Sequence, residues 1–297
     1  MLDFLDDVEE TKVSWVAGKN GLVPGPRGTI AGLLLGVVTL AAAIAAQTGE
    51  RTVFFDDFSG PSLDRSHWNV IVTGRTVNDE QQAYVDSTDV LSFKDGALVI
   101  QPRFRQGFKT PEGRTFDFIS GRIDTRSKVT FTYGTAAARM KLAEGAGLWP
   151  AFWALGDGRW PDTGEIDIME HVGESAWTSV ALHGPGYFGD TPLVRRIPAQ
   201  DVSAWHVYSV DWTEDALVFK VDDREGYRVT KEMVERHGRW AFDNGKFLIL
   251  NLALGGTYPK SVNKADAPYP GLPETTVRAI KSDEPKILVD WVRVTRK

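Results

Sequence analysis

A chain of 297 residues, 42% apolar and 25% charged, is ordinary globular material, which excludes disorder as the default state. Its net charge of -6 and the lack of any sustained Lys/Arg run exclude a dedicated nucleic-acid binder, so no nucleic-acid partner is expected. With no cysteine anywhere, disulfide scaffolds, thiolate zinc sites and a cysteine nucleophile are ruled out, while the redox compartment stays open.

The first segment, residues 1–28, is polar and holds Asp3, Asp6, Asp7, Glu9 and Glu10, with Lys19 and Arg27 near its end. It reads as a cytoplasmic leader or as sequence upstream of the true start. Residues 29–46 follow, with an uncharged run from Ile30 to Ala46 and a small-x-small pattern at Ala43-Ile44-Ala45. Such a run spans about 25 Å as a helix, short for a bilayer core of about 30 Å. A cleaved signal peptide is therefore favoured over a membrane anchor, and the expected location is secreted or extracytoplasmic, with membrane tethering as the alternative.

Residues 47–297 change character, with short β-rich runs separated by Gly, Pro, Asp and Asn. Strands are expected at Thr52 to Phe55, Val90 to Phe93, Leu98 to Gln101, Val129 to Tyr133, Ala137 to Leu142, Ile166 to Glu170, Val207 to Trp212, Leu217 to Val221, Phe247 to Ala253 and Ile287 to Val294. Only Thr230 to His237 reads clearly as a helix. Many strands without alternating helices predict one all-β domain, a sandwich of antiparallel sheets. Alternation in "HVYSVDW" and "LVFKVDD" fits strands with one packed and one wet face.

Within this pattern "GEIDIMEHV" is unusual, because Glu165, Asp167 and Glu170 lie in one apolar run. Side chains alternate along a strand, so Glu165 and Asp167 share a face and Glu170 is out of step. One extra residue at Ile168 or Met169, a β-bulge, would bring Glu170 back to the face of the other two. Two glutamates leaning together could then stand about 5 to 6 Å apart, the spacing of a retaining glycosidase. One would attack the sugar and the other would give and take the proton, with Asp167 between them sharing a proton and raising the acid's pKa. The competing reading is a solvated edge strand whose charges discourage aggregation. Spacing alone leaves both open.

The stretch "GLWPAFWALGDGRWPDTGEIDIMEHVG" resembles the catalytic region of glycoside hydrolase family 16, in the laminarinase-like form of its signature. Similarity continues through "FFDDFSGPSLDRSHW", "NDEQQAYVDSTDVLSFKDGALVI", "FTYGTAAARMKL", "LHGPGY", "FLILNLALGG" and "ILVDWVRV", in the family's order. The resemblance implies a β-jelly roll with a concave, open substrate cleft. It implies Glu165 as nucleophile, Asp167 as assisting acid and Glu170 as general acid/base. Trp149, Trp153 and Trp160 match aromatic residues that line the cleft, where an indole offers a flat face to a sugar ring. Trp177 leans further toward the core than Trp153, and Trp205, Trp212, Trp240 and Trp291 are read as core. His183 matches a histidine near the acid/base, and Asn78 a substrate-binding residue.

The resemblance also implies a structural calcium ion held by Asp57, the Gly96 carbonyl and Asp290, with water completing its shell. No cofactor is required for the chemistry, and a monomer acting on β-glucan is expected. The sequence departs from the family at Ala137, where many relatives carry Glu, and in "QAYVDSTDV", which lacks a second Tyr. Laminarin-type β-1,3-glucan leads as substrate, with mixed β-1,3/1,4-glucan beside it. Agarose, porphyran or carrageenan are alternatives, although sulfated galactans need cationic subsites and Arg159 is the one evident cation beside the motif. Two other classes stay open: a non-catalytic sugar-binding jelly roll, and a metal-dependent hydrolase using Glu165, Asp167 and His171.

Overall fold

The computed structural model describes residues 49–296, apart from 76, 174, 175 and 200. The leader and the signal or anchor segment, 1–28 and 29–46, lie outside the described residues. From Thr48 onward the chain forms one compact unit.

Two large antiparallel sheets carry it. The first has eight strands, in the order Arg224–Thr230, Ala216–Val221, His206–Trp212, Gly134–Lys141, Ile287–Arg296, Ala97–Ile100 and Leu91–Lys94, with Arg51–Asp56 also paired to Ile287–Arg296. The second has seven, in the order Val194–Pro198, Trp177–His183, Glu165–Glu170, Leu148–Gly156, Lys246–Leu254, Arg122–Asp124 and Asn69–Val70. A small third sheet joins Gln82–Tyr84, Thr115–Ser120 and Arg103–Lys109.

The core follows from period-two patterning. Ala136, Ala138 and Met140 of one sheet, with Val292 and Val294, meet Phe152, Ala154, Ile166, Leu182, Leu248, Leu250 and Leu252 of the other in one buried cluster. The strand Lys246–Leu254 is buried along its whole length. One face packs in the core, and its other face, through Asn251 and Ala253, floors a cleft. That double burial explains its nearly unbroken apolar run.

Nine of the ten expected strands form, within one to three residues at their ends. Val129 to Tyr133 does not, because only Phe131 makes a bridge there, to Lys246. The expected helix is shorter, Lys231–Glu235, and Thr230 caps it by accepting from the Met233 N–H at 3.3 Å. Two further helices, Thr257–Asn263 and Glu274–Lys281, were not expected. Their β-branched residues mask a helical pattern, yet Thr276, Val277 and Ile280 line one buried face of the second. Trp212 and Trp240 are core as read, whereas Trp205 and Trp291 are only half-buried and lie under Arg139 and Arg293 respectively.

One buried cation fixes the loop that leads into the acidic strand. Lys246 is fully buried, and its Nζ donates to Thr163 O at 2.7 Å, Ala241 O at 3.2 Å and Asn244 Oδ1 at 2.8 Å. Burial pushes its pKa down to about 7. The next residue after Thr163, Gly164, has φ +70, and a Cβ there would stand 2.5 Å from the Ala241 carbonyl. Glycine and lysine together therefore set where Glu165 begins. Replacing Lys246 with Met removes the donor to Thr163 O and Asn244 Oδ1, while Ala241 O keeps the Asn244 Nδ2 donor at 3.0 Å, and a loss of about 2–4 kcal/mol is expected, lowering Tm by roughly 5–15 °C in calorimetry. A Tm unchanged within about 1 °C would mean that the acceptors find other partners.

Candidate active site

The acidic strand Glu165–Glu170 lies between Leu148–Gly156 and Trp177–His183. Pairing runs from Trp153↔Asp167 to Ala151↔Glu170 on one side, and from Asp167↔Ala181 to Glu170↔Ser179 on the other. On each side two steps of the neighbour match three of this strand, so one residue is extra. Ile168 and Met169 both sink into the core, at 2% and 0% exposure. Glu165, Asp167 and Glu170 consequently share the opposite face.

They open into a cleft of about 380 Å³, lined by Tyr84, Arg122, Trp149, Trp153, Trp160 and Asn251 among others. Each glutamate is held by an indole. Trp149 Nε1 donates to Glu170 Oε1 at 2.9 Å, and Trp160 Nε1 donates to Glu165 Oε2 at 2.8 Å. Trp153 turns its N–H to Asn251 Oδ1 at 2.8 Å and receives the Arg122 guanidinium over its ring at 4.9 Å. Trp160 is 44% exposed, so one wall of the cleft is an indole open to solvent.

Burial, and then the neighbouring Asp167 charge, pushes Glu165 up to about 8. Burial raises Asp167, which is hydrogen-bonded to Glu165. Glu170 is raised by burial, then by Asp167, while the Trp149 hydrogen bond works the other way. Three carboxyls gathered on one face, the middle one buried, ionise together only at a cost, so the cluster holds shared protons near neutral pH. Such a set supplies a nucleophile and a proton donor together.

Comparison with known proteins agrees with this geometry. Residues 65–266 match the family described as Glycosyl hydrolases family 16. The chain belongs to that family. It is 32% identical over 254 residues to glucan endo-1,3-beta-glucosidase A1 of Niallia circulans, covering 75% of this chain and 37% of that one. It is 31% identical over 264 residues to a beta-glucanase of Rhodothermus marinus, covering 82% of this chain and 84% of the relative. Among solved structures, the laminarinase catalytic domain of Thermotoga maritima superposes with a TM-score of 0.72 at 31% identity, covering 84% of this chain and 98% of that domain. The two-sheet jelly roll is thus the fold of a family 16 glycosidase.

Other site residues of this family 16 chain fall out as follows. His183 Nε2 lies 3.2 Å from Asp167 Oδ2, so it meets the middle acid rather than Glu170. His171 is not a candidate ligand: it is fully buried, its Nδ1 is 3.0 Å from the Trp177 carbonyl, and burial pushes its pKa down to about 4. The histidine that stands with Glu165 and Asp167 is His183, with donor atoms within 4.8 Å of one another. Asn78 lines the cleft rim, where its backbone carbonyl accepts from Thr257 N–H at 2.7 Å. Trp177 is half-buried: its ring packs against the small cluster of Trp149, Val172 and Ala253 and carries the Arg196 guanidinium at 4.1 Å.

Sequence reasoning missed Tyr84, Glu80, Arg122 and Asn251. Gln82 Nε2 and Tyr84 OH donate to Glu80 Oε2 at 2.8 and 3.4 Å, and Asn251 Nδ2 donates to Tyr84 OH at 3.3 Å. A lone Asn inside "FLILNLALGG" was the one available signal, since a polar residue in a buried strand needs partners. Arg122 gave none.

The calcium donors do not fit an ion as they stand. Arg139 Nη1 is 2.6 Å from Asp290 Oδ2, placing a fixed positive charge on that carboxylate. Asp57 Oδ1 accepts from its own turn, Ser59 N–H at 3.1 Å, and Gly96 is a turn residue at φ +77. Millimolar calcium added to chelator-treated protein is therefore expected to move Tm by less than about 1 °C, and a rise of several degrees would restore the calcium site.

The acid cluster makes a second prediction. Folded pKa values above the unfolded values of 3.8 and 4.5 mean that the native state binds more protons between about pH 4 and 8. Stability falls as pH rises through that window. Asp167→Asn is expected to raise Tm by roughly 2–6 °C at pH 8 and hardly at pH 4, read by calorimetry. Equal shifts at both would show that proton uptake is not the cause.

Proposed function

We propose that this protein is an endo-acting, retaining β-glucanase that cleaves internal β-1,3 bonds, or mixed β-1,3/1,4 bonds, of laminarin-type polymers. The observation that carries the reading is the bulge at Ile168 and Met169, which gathers Glu165, Asp167 and Glu170 on one face between indole walls. The Niallia and Thermotoga relatives, a glucan endo-1,3-beta-glucosidase and a laminarinase, support the substrate class.

In the proposed reaction the Glu165 carboxylate attacks the anomeric carbon while Glu170 gives its proton to the leaving oxygen. Trp160 holds one oxygen of Glu165 and Trp149 one oxygen of Glu170, which leaves the second oxygen of each for chemistry. Esterification of Glu165 removes one of the charges that raise Glu170, so Glu170 becomes a stronger acid and then serves as base for the incoming water. Attack requires Glu165 to be ionised, so in the reactive form the proton shared within the cluster rests on Asp167. No metal or organic cofactor takes part in this scheme, and a monomer suffices for it. A polymer substrate and the uncharged run at Ile30 to Ala46 support action outside the cytoplasm.

Two kinds of assay test the reading. Reducing-sugar release from laminarin is expected to fall by about 10³-fold or more in Glu165→Ala and in Glu170→Gln. Azide should rescue Glu165→Ala and give a product of inverted configuration, whereas the parent gives retained configuration by NMR. Inversion in the parent would overturn the nucleophile assignment. No acid-dependent release from any β-glucan would favour a sugar-binding jelly roll, and loss of turnover on chelation with folding unchanged would favour a metal at Glu165, Asp167 and His183.

A further inference from the structure

The strand register draws one straight row across the cleft sheet: Arg122↔Asn251↔Ala151↔Glu170↔Ser179↔Arg196. A guanidinium stands at each end, with Glu170 between. The two ends are not equivalent. Arg122 is half-buried, lies against Trp153 and Tyr84, and has the buried Glu80 carboxyl near enough for each to feel the other's charge. Arg196 is exposed on the edge strand Val194–Pro198, and no ion pair reaches it among the described residues.

Arg196 is held rather than loose. Its guanidinium stacks on Trp177 at 4.1 Å, and its charge is felt at Tyr258, whose hydroxyl is 3.0 Å from Ser179 Oγ. Val194, Arg195, Arg196 and Tyr258 enclose an open hollow of about 440 Å³. Two strand spacings separate Arg196 from Glu170, about 10 Å of backbone, so a chain bound at the acids passes over this hollow within a sugar or two.

We propose that Arg196, on its Trp177 platform, forms a subsite for an anionic substituent, a sulfate or carboxylate, on the polysaccharide arm that crosses Ser179. A planar guanidinium with its donors facing solvent pairs with such groups through two parallel hydrogen bonds, and the stacked indole fixes its orientation. The inference rests on the β-glucanase reading. It also corrects the expectation that Arg159 is the one cation near the motif: the edge strand, distant in sequence, brings Arg196 there.

The test compares neutral laminarin with lightly sulfated and lightly carboxymethylated laminarin, for the parent, Arg196→Gln and Arg196→Lys. The parent is expected to retain its kcat/KM on one or both anionic polymers relative to the neutral one. Arg196→Gln should lose roughly tenfold on them while staying within about twofold on neutral laminarin. Arg196→Lys should recover part of that loss, and added salt should shrink the difference. The polymer that loses more tells sulfate from carboxylate. Equal losses on neutral and anionic polymers, or rejection of both anionic polymers by the parent, would overturn the proposal. Retardation of the parent and Arg196→Gln in gels containing each polymer reads binding without turnover. Absence of laminarin hydrolysis would then count against the glucanase reading, and unchanged retardation by Arg196→Gln against the subsite.

Discussion

Everything in the cleft depends on two adjacent apolar side chains pointing the same way. Ile168 and Met169 both enter the core, a direction that a regular strand forbids for neighbours and a bulge permits. Burying each contributes about 1.5–3 kcal/mol, which outweighs the ladder pairing lost at one step. The consequence appears on the far face, where Glu170 is carried one position round to join Glu165 and Asp167. A polar residue at 168 or 169 would remove the force that holds the bulge.

That arrangement is costly in itself, and the surrounding sheet bears the cost. Burial raises all three carboxyls, and Asp167 raises both glutamates further, so the folded state takes up protons that the unfolded chain would release. What keeps them there is a rigid frame. The fully buried strand Lys246–Leu254 lies beside the Trp-rich strand Leu148–Gly156, which flanks the acids, and Lys246 ties down the loop on which Trp160 rides. Indole N–H groups then satisfy one oxygen of each glutamate without adding charge. Donors of this kind orient the acids and oppose part of the rise that burial causes, without bringing a charge into the cluster.

The trio was legible because its spacing violated strand periodicity, and the violation had one structural remedy. Strands with clean alternation, such as His206–Trp212 and Ala216–Val221, were legible for the opposite reason. Less was visible where two faces are buried for different purposes: Asn251 sits in an apolar run because one face of its strand floors the cleft. Arg122 and Arg196 were invisible, since their positions relative to Glu170 come from pairing between strands far apart in the chain. Trp177 shows both influences, since its ring packs against Trp149, Val172 and Ala253 and also carries a cation from the neighbouring strand. The calcium donors show the reverse limit, in which matching residues are present but Arg139, 151 positions away, has claimed one of them.

Register also decides what the cleft can distinguish. Rungs about 4.8 Å apart make the sheet a ruler under the proposed polymer, and each rung offers a different chemistry at a fixed distance from Glu170. Toward Arg122 the rungs are aromatic, with Trp153 and Tyr84 both bonded to Asn251, so that side favours a neutral ring of fixed shape. Toward Arg196 they are hydroxyl, indole and a cation with no ion pair among the described residues, a surface that tolerates substituents and favours negative ones. An enzyme built this way can be strict on one side of the cut bond and permissive on the other. The asymmetry follows from which strand ends the sheet: an interior strand must satisfy its polar groups from its neighbours, whereas an edge strand leaves them to the ligand.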